Sequence, residues 1–509
     1  MFSCVCARRQ TTSDDESDGS VRGEGRRCHH KHKSNSKHED RETKLKKLKK
    51  SVKKIKWEVK EERLRFLYKF DISVMSWEGH QPPGADVPQL RDILQKEHIE
   101  LLLSDSVCFR SEQCQLLGQR FIQFAIASGY KDEPELDEAG KPLLRRTTSV
   151  HHAGRNIAYS FFMNDLFQIY DRFDANYVDE SGLTHLHVAC MHGRHKVVAK
   201  FLELGQVDPD CVWRETGDSP LHLAIRYGFD YNAIELLLRN GADPNLANAE
   251  GSTPLHAMCR RKYDDDLVEF FFEISDHIER TVRLDAKDKS GRTPLQWAVA
   301  KLLPDTVDVL LNRGADLSSF VFPGRDYFGE GLRPWLDDGH LAFPLRLGSG
   351  ALAIVERLEK GGYEMDQSDA LTIMAFFKEN GLYEKSANRD ENWYDDEVFA
   401  SQAKGITITP SLSLYDLIRL RPEEAENRLT FVDCFTLAST NFDRSLRRGP
   451  GKACAENLCE KLSRKFFRSW AIESFMKLTR YRLPLECCKM IIDESFKNED
   501  LWNILLASS

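Results

Sequence analysis

Ser219-Pro220-Leu221-His222 and Thr253-Pro254-Leu255-His256 are one four-residue phrase repeated at an interval of 34 residues. Thr184-His185-Leu186-His187 stands 35 residues upstream of the first copy, and Thr293-Pro294-Leu295-Gln296 stands 40 residues downstream of the second. Each phrase reads as a helix start. The hydroxyl accepts from orphan amides of the first turn, proline at the first helical position gives up no bond, and the leucine is free to enter a core. His187, His222 and His256 are read as bonding back to their own loop, with no metal or catalytic role. An apolar helix follows each phrase and then a second one. The second is clearest in Ala233-Ile234-Glu235-Leu236-Leu237-Leu238-Arg239-Asn240-Gly241-Ala242-Asp243, where glycine closes the helix. A period of this length marks stacked helix pairs, each burying its apolar face only against its neighbours.

The phrases Thr-Pro-Leu-His-x-Ala and Gly-Ala-Asp resemble the ankyrin-repeat consensus, so the expected fold is an all-α solenoid over residues 140–365. Weaker copies flank the strong ones at Thr148-Ser149-Val150-His151-His152-Ala153 and Phe343-Pro344-Leu345-Arg346. The extra lengths around Glu273 to Arg283 and Phe322 to Gly339 are assigned to loops. The resemblance implies a non-enzymatic protein that holds an as yet unidentified target protein on its concave surface, made of finger tips and inner helices. By register, the partner-binding positions are Met191, His192, Trp213, Arg214, Arg226, Tyr227, Arg260 and Arg261. Arginine and aromatic side chains are the anchors that interfaces favour.

Beyond the array, residues 366–409 read as a linker with a polar, acidic break from Asn388 to Asp396, and residues 410–509 as a small helical domain. Its last stretch runs Tyr481-Arg482-Leu483-Pro484-Leu485-Glu486-Cys487-Cys488-Lys489-Met490-Ile491-Ile492, then Phe496 and Glu499-Asp500-Leu501-Trp502. This order resembles the front half of an F-box. Behind ankyrin repeats it is similar to the PRANC domain of poxviral and parasitoid-wasp ankyrin proteins, with Ser413-Leu414-Tyr415-Asp416-Leu417 as the domain start. The resemblance implies recruitment of a Skp-family adaptor of cullin-RING ubiquitin ligases through a ridge of Leu483, Pro484, Ile491 and Leu501. The back half of a full F-box is not expected before Ser509. The alternative is a stand-alone scaffold or inhibitor.

Upstream, residues 1–43 are polar with almost no apolar residue and are expected to be disordered. Residues 44–75 read as a basic amphipathic helix. Nine lysines between Lys44 and Lys60 meet one acid, Glu58, while Leu45, Leu48, Val52, Ile55 and Val59 form a single apolar stripe. A coiled-coil seam, a nuclear-import or nucleic-acid patch, a helix lying on an anionic membrane, and a plain solvated helix all fit that pattern. Residues 76–139 read as a helical lead-in.

The net charge of -8 repels nucleic acid everywhere except at this basic segment. No signal-peptide core opens the chain and no run of about 18 apolar residues follows, so a membrane span is not expected. Thirteen unevenly spaced cysteines fit reduced thiols in the cytoplasm or nucleus. No cofactor or metal is expected. Gly449-Pro450-Gly451-Lys452-Ala453 lacks the hydroxyl that a phosphate loop needs after lysine. Cys4, Cys6, Cys28, His29, His30 and His32 lack paired ligand spacing.

Overall fold

The computed structural model describes residues 41–78, 87–108, 112–228, 230–262, 264–329, 343–382, 394, 396–421, 424–425, 428, 430–439, 446 and 448–508. The described chain is all-α apart from a short ribbon, β1 (Thr407–Thr409) against β2 (Leu412–Ser413). The expectation of a disordered tail over residues 1–43 falls almost wholly outside these residues.

The repeated phrase builds a closed capping unit. Thr184, Ser219 and Thr253 each accept the amide three residues on, and the histidine at that position accepts the cap residue's own amide through Nδ1. In the fourth unit Gln296 Oε1 takes the amide of Thr293 at 2.9 Å. The same box opens at Thr148 with His151.

Behind these caps lie the helix pairs. They are α5 (Ser149–Gly154) with α6 (Met163–Ile169), α7 (His185–Met191) with α8 (His195–Glu203), α9 (Pro220–Leu223) with α10 (Tyr231–Arg239), α11 (Pro254–Cys259) with α12 (Leu267–His277), and α13 (Pro294–Ala300) with α14 (Pro304–Asn312). α9 widens into a π-turn over Ala224–Gly228. Leu186, Leu221, Leu255 and Leu295 are all buried between units.

Successive units are also stitched through polar groups. Ala249 donates its amide to Thr216 O at 3.1 Å, and Lys289 donates to Glu250 O at 2.9 Å. Between these fingers Gly217 sits at φ +71, where a Cβ would lie 2.3 Å from the Ala249 nitrogen, so only glycine fits. Asp264 lends its carboxylate to the start of α14, accepting from the amides of Asp305 and Thr306.

The lead-in helices α1 (Arg41–Val52), α2 (Lys60–Glu78), α3 (Lys96–Ser106) and α4 (Glu112–Ala127) precede the first pair, with α3 packed on α5 and α4 on α6. A half-buried network fastens them. Arg146 pairs with Glu100 at 2.7 Å and Asp132 at 2.8 Å, Tyr170 donates to Glu100 at 2.6 Å, and Tyr177 donates to Asp132 at 2.5 Å. The single basic helix expected over residues 44–75 is two helices. α1 stops at Val52 and the chain turns before α2 begins.

At the other end, Phe343–Lys360 forms one 18-residue helix, α15, where the sequence suggested a weak repeat. It packs on α14 and also on α19 (Phe431–Ser439) and α20 (Arg448–Leu478). The segment 366–409, read as a linker, carries α16 (Gln367–Glu379), α17 (Glu397–Lys404) and β1. α18 (Leu414–Arg419), α21 (Leu485–Ser495) and α22 (Asn498–Ser508) complete the chain. One apolar core runs from Leu48 to Leu505, so the array and the C-terminal helices are continuous in packing. Phe377 of α16 meets Phe467 of α20 edge-on at 5.5 Å.

Candidate partner-binding strip

The finger tips and the ends of the inner helices meet along one line, where arginines reach finger acids. Counting from each cap, Arg155, Met191, Arg226 and Arg260 occupy the same place, seven residues on. Arg155 donates to Asp179 Oδ2 at 2.6 Å and to Ser181 Oγ at 2.8 Å. Trp213 Nε1 donates to the same Ser181 oxygen at 2.9 Å, and the Arg155 guanidinium lies 6.0 Å from the Trp213 ring. Burial alone raises the Asp179 carboxyl, but the hydrogen bonds from Ser181 and Arg155 outweigh it, and the group sits below the usual carboxylate range.

One unit further, Asp218 is fully buried and accepts from Arg226 at 2.9 Å and from Asn248 at 2.7 Å. Tyr227, beside Arg226 in the π-turn, has that guanidinium 5.9 Å from its ring. In the next unit Arg260 pairs with Glu250 at 3.1 Å and lies 4.5 Å from the ring of Trp297, whose indole N–H donates to Asp288 at 2.8 Å. Arg292 stands between Trp297, at 4.8 Å, and Tyr327, at 3.9 Å. The result is a series of arginines held 3.9–6.0 Å from the centroids of aromatic rings. Asp179 and Asp218 pin the chain from below, while Glu215, Glu250 and Asp326 lie exposed at the rim.

Of the sequence-assigned positions, Trp213, Arg214, Arg226, Tyr227 and Arg260 lie on this line with surface to offer. Met191 and His192 do not. Both are buried, and His192 Nε2 donates to Gly154 O at 3.2 Å, so these two pack the unit against its predecessor. Arg261 is turned into a local pair with Asp265 at 3.0 Å, its side chain 10% exposed. Arg155, Trp297, Arg292 and Tyr327 were not found from sequence. Arg155 shares the register of Arg226 and Arg260 and was legible on that ground, whereas Tyr327 arrives from an irregular loop that carries no repeat signal.

In the C-terminal helices Pro484 is exposed, and Leu485 and Met490 are 40% and 59% exposed. Leu483 and Ile491 are half-buried. Leu501, expected on the docking ridge, is fully buried. The inner side of α21 carries Cys488 and Ile492, and Arg464 donates to Ile492 O at 2.6 Å. Asn498 grips α20 through Ser463 at 2.8 Å, which rolls Leu501 into the core.

Among the described residues no cluster suited to a metal ion occurs, no helix is long and apolar enough to cross a membrane, and nine cysteines are free thiols.

Residues 151–248 and 227–320 match the family model for ankyrin repeats (3 copies). The stack is made of ankyrin repeats. Palmitoyltransferase AKR1 of Lachancea kluyveri is 33% identical over 146 residues, 28% of this chain and 19% of that protein. B-cell lymphoma 3 protein of Homo sapiens is 30% identical over 150 residues, 28% of this chain and 32% of that protein. E3 ubiquitin-protein ligase KEG of Arabidopsis thaliana is 31% identical over 142 residues, 28% of this chain and 8% of that protein. The chain therefore spans less than a third of the length of each of these three relatives, and the activities in their names are those of the proteins that bear them. Ankyrin repeats imply a protein-binding role for this part of the chain. The family match ends at residue 320 and does not reach the C-terminal helices, so it lends no support to the F-box-like resemblance.

Proposed function

We propose that this chain is a protein-binding adaptor whose ankyrin strip, centred on Trp213, Arg226, Tyr227 and Arg260, holds a target protein. The observation that carries this reading is the series of arginines set beside aromatic rings and anchored by Asp179 and Asp218. Such side chains lose little freedom on binding, because their rotamers are already fixed, and a guanidinium with one pair made keeps further donors for a partner.

The finer reading is that the adaptor presents its target to a cullin-RING ubiquitin ligase, through a Skp-family adaptor docked on Leu483, Pro484 and Ile491. Exposed Pro484, Leu485 and Met490 on an anchored helix support it. The burial of Leu501 favours the second reading, a stand-alone scaffold or inhibitor whose last helices only close the array.

The test uses the purified full chain. Partners are identified by cross-linking, and their affinity is then measured for the parent and for Trp213→Ala with Arg226→Ala. Loss of about 2 kcal/mol or more, roughly 30-fold in Kd, is expected for the target. Unchanged affinity would remove the strip from the account. In parallel, Leu483→Ala with Pro484→Ala is measured against the purified Skp-family adaptor. Absence of binding by the parent leaves the scaffold reading.

A further inference from the structure

Residues 43–57 carry eight lysines and no acid, in a chain whose net charge is -8. The sequence alone leaves the apolar stripe of this segment open to a second helix, to a membrane or to the protein itself. The fold has used it from Leu45 to Ile55, while Val59 stays 37% exposed. Leu48 is buried, and Leu45, Val52, Ile55 and Trp57 pack against the core. Trp57 stacks on His98 with 3.7 Å between ring centroids and an angle of 6°, and Arg63 donates to the Trp57 carbonyl at 2.6 Å. The segment is therefore a fixed part of the body.

With the stripe turned inward, the lysines share the outer side. Lys49, Lys50, Lys53, Lys54 and Lys56 are exposed and make no ion pair among the described residues. The acids that flank the segment in sequence are Glu42 before it and Glu58, Glu61 and Glu62 after it, and Glu62 is engaged by the Lys56 amide at 2.7 Å. Lys49 and Lys50 lie in the last turn of α1, and Lys53, Lys54 and Lys56 lie in the non-helical stretch that follows it, so the charge is dense.

We propose that this face binds double-stranded nucleic acid through its phosphate backbone, independently of base sequence. Two observations select this partner. A helix that lies on a membrane holds on by sinking its apolar face, and here that face is spent on the core. A duplex asks for no apolar contact, since neutralising its phosphates releases condensed counterions and supplies the driving force. The cations are lysines, point charges without the planar fork that reads guanine, which fits backbone contacts and no base readout. The proposal is independent of the ankyrin strip.

The test is fluorescence anisotropy of the full-length protein with a labelled DNA duplex of about 20 base pairs of arbitrary sequence. Five lysines predict a log–log salt slope of about -4.5, so affinity should fall roughly 500-fold between about 50 and 200 mM salt. Replacing Lys49, Lys50, Lys53, Lys54 and Lys56 together by Gln should abolish binding at the lower salt, and replacing them by Arg should retain it. The pairs Lys49→Gln with Lys50→Gln, and Lys53→Gln with Lys54→Gln, should each lower the slope by about two. Sedimentation with vesicles containing anionic phospholipid is run beside it. Failure of the parent to bind duplex at low salt, duplex binding untouched by the Gln changes, or lysine-dependent binding of vesicles without duplex would each overturn the proposal.

Discussion

His222 donates from Nε2 to the carbonyl oxygen of Ser252, 2.9 Å away and thirty residues further along the chain. Because Nδ1 of the same ring accepts the Ser219 amide, the single proton of a neutral imidazole is fixed on Nε2. His187 repeats the arrangement toward Cys211 O at 2.9 Å, and His256 toward Arg292 O at 3.1 Å. Each ring ties its own cap to the next finger, and a second proton has nowhere to go.

This makes the array sensitive to acid. Burial pushes His151 and His187 down to about 4, and His222 and His256 are lowered for the same reason. An unfolded histidine titrates near 6.5, so below that pH the unfolded state takes up the proton that the folded state refuses. Stability present above about pH 6.5 is lost as pH falls toward 4, at up to about 1.4 kcal/mol per pH unit for each histidine. Asp264, raised to about 6 by burial, has the opposite sign and offsets about one of them. Thermal unfolding measured from pH 7 to pH 5 should show a falling midpoint. The changes His187→Gln, His222→Gln and His256→Gln should flatten it while keeping the fold at pH 7, since Gln296 already fills this place with its Nε2 on Val321 O at 2.9 Å. An equally steep profile in the triple variant would mean that other groups carry the pH dependence.

Leu221→Ala and Leu255→Ala should each cost about 2–5 kcal/mol, because both side chains are wholly buried between units and their loss leaves a cavity. Urea titrations of the full chain check this. A cost below about 1 kcal/mol would mean that the neighbours collapse into the space.

Leu501→Ala should destabilise the C-terminal helices, also by about 2–5 kcal/mol, and Met490→Ala should change stability by less than about 0.5 kcal/mol. The difference follows from burial, complete for Leu501 and slight for Met490. Hydrogen exchange over residues 485–508 should rise in the first variant and stay at the parent level in the second. Equal exchange in both would contradict the packing of α22 on α20.

The repeat phrases were legible because they act locally. A cap, a proline and a plug leucine lie within four residues of one another, so the sequence displays the whole device at Ser219 and again at Thr253. The strip was partly legible for the same reason, since Arg226 and Arg260 share a register. Met191, in that register too, was misread because its side chain is buried in the folded stack, which register alone does not reveal. Arg292 and Tyr327 were missed because they meet beside Trp297 from positions 35 residues apart in the chain.

The sequence by itself determined the helix pairs, their period, the structural role of the cap histidines and the density of lysine near the N-terminus, all readable from local motifs and their recurrence. Only the tertiary structure decided which way amphipathic elements turn. It sent the stripe of α1 and the side chain of Leu501 inward, left Pro484 and Met490 at the surface, and made α15 one helix shared by the array and the C-terminal bundle. The physical reason is that apolar periodicity fixes which side of a helix avoids water, whereas the neighbour that covers that side is chosen by residues far away in the chain.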